Sequence, residues 1–328
     1  MKQNQLLQTK IESKKNILAD LKAEIKKIIV GQDYLIERLL VAIFSNGHVL
    51  LEGVPGLAKT LAIKTLANCF DLSFKRIQFT PDLLPSDLIG TLIYNPKNME
   101  FTPYLGPIFA NIILADEINR SPAKVQSALL EAMQEHQVTI GEKHYHLPNP
   151  FLVLATENPI EHQGTYPLPE AEIDRFMMKL KITYPTREEE KIIIEKATFN
   201  EMQQINPVIN LTDLLEIQDI IKHIYIDERI KEYILDLIFA TRKPQDYQLI
   251  SLKPLIEFGA SPRATIYLTR AVKTLAFLNQ RNYVLPEDVK VITKDILRHR
   301  IIPSFEADAD DIDSEIIIDQ ILARIQVP

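Results

Sequence analysis

The chain has 328 residues, a formal net charge of −7 and a pI of about 5.6. That is longer than one small domain and suits a core domain with an accessory one. The acidic balance carries no basic stripe, so nucleic acid is not expected as a main partner. A single cysteine, Cys69, excludes an intramolecular disulfide, fits a reducing cytoplasm, and sits where a buried core thiol is expected. Residues 1–15 are too polar for a signal peptide, and no run of 18 apolar residues predicts a membrane span.

In chain order, residues 5–29 predict an amphipathic helix, with Ile17, Leu18, Leu21, Ile25, Ile28 and Ile29 at helical spacing. A turn at Val30-Gly31-Gln32 leads to a helix over 33–45. A buried strand is predicted at 48–51, a loop at 53–60, a helix at 61–69 and a strand at 74–79. An apolar strand at 112–115, a helix at 122–135 and another apolar strand at 151–155 follow. Strands that are apolar on both faces and alternate with helices predict a parallel sheet covered by helices. Two interruptions stand out. Residues 81–107 read as an insertion holding a short helix and a hairpin, and 137–147 as a second hairpin around Gly141. Beyond about 185 the pattern is helical, with helices near 187–200, 211–223, 228–242, 262–280, 286–299 and 313–326. The predicted domains are therefore 1–185 and 186–328.

Between the strand at 48–51 and its helix lies Gly53-Val54-Pro55-Gly56-Leu57-Ala58-Lys59-Thr60, followed by Leu61. A glycine-containing loop opening a helix there directs backbone N–H groups at phosphate oxygens. Lys59 supplies a point charge for the β- and γ-phosphates, and Thr60 a hydroxyl for Mg²⁺. The position before the lysine is alanine where glycine is usual. A helix opening already has right-handed backbone, which alanine tolerates. The apolar strand at 112–115 ends in Asp116-Glu117. These acids predict a Mg²⁺ partner, Asp116, and a group that polarises the attacking water, Glu117. The strand at 151–155 ends near Asn158, whose amide can hold water against the γ-phosphate. ATP and Mg²⁺ are thus the expected ligands of an ATP hydrolase.

Several segments together resemble the MoxR group of AAA+ ATPases. They are residues 52–60, Gly106-Pro107-Ile108-Phe109-Ala110-Asn111, Asp116-Glu117-Ile118-Asn119-Arg120, residues 126–133, Ala155-Thr156-Glu157-Asn158-Pro159, residues 170–176 and Ser261-Pro262-Arg263-Ala264. The matching stretch runs from Gly31 to about His299, and alanine at position 58 is usual in this group. The resemblance implies an αβα P-loop domain followed by a smaller all-helical lid domain carrying sensor 2. It also implies a helix-2 insert at about 81–107 and a hairpin before the sensor strand at about 137–147. By the same resemblance Asn158 is sensor 1, Arg175 an arginine finger, Arg263 sensor 2, and Gly31-Gln32 the segment near adenine. Pro262 suits the first helical position and puts Arg263 in a first turn, where N–H groups favour phosphate. The family implies a ring, commonly of six subunits, chaperone-like work on a protein client, and partners carrying a von Willebrand factor A domain. Arg120 has two readings, a contact with the neighbouring subunit or a surface ion pair.

Other features read as ordinary surface. His144, His146 and Glu142 share one face of a hairpin strand, but two imidazoles and one carboxylate are better read as solvated. The acids at 306, 308, 310, 311 and 313 read as a solvated loop. For function, an ATP-driven remodeller leads. A slow ATP-gated switch or scaffold is the alternative, and the charge balance disfavours a nucleic-acid motor.

Overall fold

The computed structural model describes residues 2–54, 56–57, 59–158, 165–198 and 204–328. Helices α1 (Lys2–Ser13) and α2 (Lys15–Ile28) replace the single helix expected over 5–29. The break falls at Lys14, whose ammonium reaches Asp213 at 3.1 Å and Glu216 at 2.7 Å in the C-terminal half. Helix α3 (Asp33–Ser45) follows two consecutive residues in the left-handed region, Gly31 and Gln32. Next come β1 (Val49–Glu52), α4 (Lys59–Cys69) and β2 (Phe74–Gln78). The insertion holds α5 (Pro85–Ile89) and an antiparallel hairpin, β3 (Gly90–Asn95) and β4 (Glu100–Leu105), as expected. Then come β5 (Ile112–Asp116), α6 (Ala123–Glu135), the hairpin β6 (Gln137–Ile140) and β7 (Lys143–His146), and β8 (Leu152–Glu157). Helix α7 (Glu170–Ile173) and strand β9 (Met178–Lys181) complete this part.

The main sheet is parallel, with strand order β2-β5-β8-β1-β9. Side chains alternate across it. Ile112, Leu114, Leu152 and Leu154 face one core; Ile113, Ala115, Val153 and Ala155 face the other. With both faces covered, β5 and β8 must be continuously apolar, which is why the sequence announces them. Strand β9 was not expected. Met178-Lys179-Leu180-Lys181 interleaves lysines because β9 is an edge strand, paired only with β1.

The C-terminal half contains α8 (Arg187–Thr198), α9 (Leu211–Lys222), α10 (Glu228–Arg242), a short strand β10 (Ile256–Phe258), α11 (Pro262–Leu278) and α12 (Pro286–Leu297). It ends with β11 (Ile302–Pro303), α13 (Phe305–Ala309) and α14 (Ser314–Arg324). It is thus not entirely helical, since β10 and β11 form a two-stranded antiparallel ladder. Part of the expected acidic loop forms α13, because Ser304 caps it by accepting from the Ala307 N–H at 3.3 Å. These helices share one core with the lower sheet face. Phe44 of α3 meets Phe277 of α11 edge-on at 5.9 Å. Arg38 of α3 and Asp295 of α12 form a buried ion pair at 2.6 Å. Cys69 lies in the same core, and burial pushes its thiol up to about 12.

Candidate nucleotide site

Parallel pairing brings four strand ends to one edge. Leu51 and Glu52 of β1 lie opposite Thr156 and Glu157 of β8, Ala115 of β5 opposite Ala155, and Gln78 of β2 opposite Asp116. Loops leaving these carboxyl ends meet over a cleft of about 440 Å³, the position where open parallel sheets bind ligands. Gly53, Gly56, Leu57, Lys59, Thr60 and Leu61 line it from one side, and Arg76, Asp116, Glu117, Thr156, Glu157 and Asn158 from the other. Of the remaining predicted loop residues, Val54 packs on the core, while Pro55 and Ala58 lie outside the described residues. Gly56 sits at φ +86°, with nothing within 4 Å of where a Cβ would stand. Glycine is needed there for the backbone turn and not for room.

Lys59 opens α4 and turns back so that Nζ donates to the Gly53 carbonyl at 2.5 Å. Partial burial holds its ammonium below the usual lysine range, and the charges of Asp116 and Glu117 oppose that shift. A half-buried cation bonded to one carbonyl, with its other donors toward the cleft, suits an anionic ligand.

The two acids are held by neighbouring strands. The Thr156 hydroxyl donates to Asp116 Oδ1 at 2.7 Å and accepts the Glu117 N–H at 2.8 Å. Arg76 donates to Asp116 Oδ2 through Nε at 2.9 Å and Nη2 at 2.6 Å. Glu117 accepts from Gln78 at 2.8 Å and from Arg120 at 3.1 Å. Its backbone is left-handed, φ 56° and ψ 53°, which for glutamate costs about 1–3 kcal/mol. Such strain persists only where surroundings enforce it, here the Thr156 bond and the short 3₁₀ turn at Ile118–Arg120. Arg120 pairs with Glu117 inside its own chain at 3.1 Å. Glu157 is mostly buried, and burial pushes its carboxyl up against the pull of Lys179, whose Nζ stands 3.7 Å away.

Sequence reasoning missed Thr156, Arg76 and Gln78 as individual contributors. Arg76 and Gln78 are two apart on β2 and therefore on one strand face, a signal that was available. Thr156 was noticed only as part of a longer pattern.

Gly31, Gln32, Arg175 and Arg263 lie outside the cleft lining. Gly31 and Gln32 sit beside the exit of β9, where Gln32 Nε2 donates to the Thr183 carbonyl at 3.2 Å. Glu189 presses against Gly31 so closely that a Cβ would stand 1.9 Å from its Oε1. Arg175 and Arg263 are neighbours on another surface. Arg263 Nη1 is 3.5 Å from Asp174 Oδ2, and its Nη2 is 3.5 Å from Gln134 Oε1. Arg175 lines a separate recess with Glu131, Glu135 and Glu172, and its buried Nε has no hydrogen-bond partner among the described residues. His144 bonds Thr139 at 3.0 Å, and the described residues contain no group of three or more His, Cys, Asp or Glu side chains placed to share a metal ion.

The sequence profile of the ATPase family associated with various cellular activities (AAA) matches residues 48–178, and that of the AAA lid domain matches residues 251–321. Chaperone MoxR1 of Mycobacterium tuberculosis is 50% identical over 93% of this chain and 81% of its own length. Protein MoxR of Methylorubrum extorquens is 30% identical over 85% of each chain. A crystal structure from Cytophaga hutchinsonii, provisionally described as an ATPase, superposes with a TM-score of 0.93. It shares 52% identity and covers 98% of this chain and 97% of its own. The strands, the phosphate-loop geometry and these similarities agree: the chain belongs to the MoxR family of AAA+ ATPases.

Proposed function

We propose that the chain binds Mg·ATP at the 53–60 loop, hydrolyses it, and uses the cycle for chaperone-like remodelling of a protein client. The observation that carries this reading is the meeting of Lys59, Thr60, Asp116, Glu117 and Asn158 in one cleft at the strand ends. The donor set fits the ligand: a helix N-terminus and an ammonium for phosphate, a hydroxyl and a carboxylate for a hard cation. Lys59 exchanges its Gly53 carbonyl for phosphate oxygens. Thr60 and Asp116 would hold Mg²⁺, and Asp116 would give up its contacts with Arg76 to do so. Bound Mg²⁺ supplies charge neutralisation at the phosphates. Glu117 accepts a hydrogen bond from the attacking water, and Asn158 helps orient that water.

Arg175 and Arg263 stand together away from this cleft. That supports a role for both at the nucleotide of a neighbouring subunit in a ring, commonly of six. An arginine whose buried Nε lacks a hydrogen-bond partner among the described residues is suited to one supplied by another molecule. We place the boundary between nucleotide domain and lid near residue 185. Client work is supported by the relative that carries the name chaperone and by the β3–β4 hairpin. That hairpin exposes Tyr94, Met99, Phe101 and Tyr104, apolar surface open to a protein partner. A von Willebrand factor A domain protein is the partner class we expect, and the cytoplasm the expected location.

The test is a calorimetric ATP titration of Lys59→Ala beside the parent protein. Tight Mg·ATP binding should be present in the parent and lost in a folded variant. Unchanged affinity would remove the assignment of the cleft.

A further inference from the structure

The carbonyls of the four-residue stretch that carries Arg175 are held by side chains of the C-terminal half. Arg300, wholly buried, donates through Nε to Asp174 Oδ1 at 2.8 Å and through Nη2 to the Asp174 carbonyl at 2.9 Å. The same guanidinium donates to the carbonyls of Phe176 at 2.5 Å and Met177 at 3.1 Å, and also to Ile296. The Tyr267 hydroxyl donates to the Arg175 carbonyl at 3.1 Å. The Asp174 carboxylate also accepts from Ser261 Oγ at 3.0 and 2.8 Å and faces Arg263 at 3.5 Å. The carbonyls of residues 174–177 are thus all held from the lid side, while the Arg175 Nε has no hydrogen-bond partner among the described residues.

A buried arginine committed to four backbone carbonyls and a carboxylate fixes a chain path more tightly than apolar packing does, because each contact is directional. The path it fixes is that of Arg175. We infer that Asp174 and Arg300 are positioning residues that tie the placement of Arg175 to the placement of the lid. They act on the neighbouring subunit's nucleotide through Arg175, and Asp174 also through the Arg263 it faces. This rests on the reading of Arg175 as a residue acting across a subunit boundary.

Subunit mixing separates the two ideas. Lys59→Ala subunits cannot hydrolyse but present an intact Arg175. Arg175→Ala subunits keep an intact phosphate site. Mixed assemblies of the two should recover activity that neither has alone. Asp174→Asn is then added to one arm at a time. In the Lys59→Ala arm it should cut the recovered rate about 10²-fold, the size expected for a misplaced catalytic group. In the Arg175→Ala arm it should leave the recovery and the KM for ATP unchanged. Ser261→Ala, which removes one of the lid contacts to Asp174, should act in the same arm with a smaller loss, and it serves if Asp174→Asn does not fold. Equal losses in both arms would make the cluster mere cement between domains and overturn the inference, as would no loss in either. Absence of recovery in the parent mixture, with mixed assembly demonstrated, would remove the trans role of Arg175 and the positioning role with it.

Discussion

Thr156 touches both acids of the candidate site, and its hydroxyl does two jobs at once. Donation to Asp116 orients a carboxylate proposed for Mg²⁺, and acceptance from the Glu117 N–H holds Glu117 in its strained backbone. Thr156→Val keeps the shape and removes both bonds. We predict about a 10²-fold fall in kcat, the lower end of the range for a positioned acid–base group, with the KM for ATP changed far less. Steady-state kinetics decide it; an unchanged kcat would mean that the strand alone positions the acids. Arg76 makes the opposite kind of contact, since its guanidinium occupies Asp116 Oδ2. Arg76→Ala should therefore tighten Mg²⁺ binding in the presence of nucleotide, measured by titration of the metal; weaker binding would make Arg76 a phosphate ligand instead. Phosphate-loop chemistry was legible because glycines, a lysine and a threonine at fixed spacing leave few other readings. The supports were not, because a strand-end threonine and a paired arginine look ordinary until strand order shows what they face.

At the scale of elements, legibility followed burial. Strands β5 and β8 are covered on both faces and read as apolar runs, whereas β9 lies at the edge, carries two lysines and passed unnoticed. The pair β10–β11 spans so few residues that no periodicity can develop. The α1–α2 break depends on Lys14 reaching α9, a contact between residues 199 and 202 positions apart that no local pattern carries. Another long-range tie makes a stability prediction. His48, beside β1, accepts the Val153 N–H of β8 on Nδ1 at 3.0 Å and faces the Met133 carbonyl of α6 through Nε2 at 3.2 Å. Only the neutral ring can make both bonds. Burial brings its pKa down from 6.5 to about 4. Between those values the unfolded chain binds the extra proton and the folded one does not, so stability is full above pH 6.5 and falls as the pH drops toward 4. His299, partly buried and also held well below 6.5 by desolvation, adds to the loss in the same direction. From His48 alone the loss is about 2 kcal/mol at pH 5. Urea denaturation at pH 7.5 and pH 5 should show it, and His48→Asn should flatten part of the slope. Equal midpoints at the two pH values would contradict the assignment.

For the whole molecule, the arrangement of charge is more informative than its total. The net charge of −7 lowers the expectation of nucleic acid, but it conceals two arginines, Arg175 and Arg263, gathered at Asp174 on a surface apart from the cleft. One chain thus presents a phosphate site in one place and candidate phosphate-seeking arginines in another, a division that favours a ring closed by nucleotide. Mg·ATP added to Glu117→Gln should therefore shift the protein toward a closed assembly, seen as a rise in mass by light scattering. Arg175→Ala in the same background should weaken that shift. The most direct measurement of the central claim compares Glu117→Gln with the parent protein for Mg·ATP binding and for phosphate release in the same preparation. The amide keeps the shape of the side chain and loses its capacity to accept a proton from water, so binding should persist while turnover falls by about 10²-fold or more. Phosphate release at the parent rate would contradict the assignment of Glu117 and, with it, the account of this cleft as the site of hydrolysis.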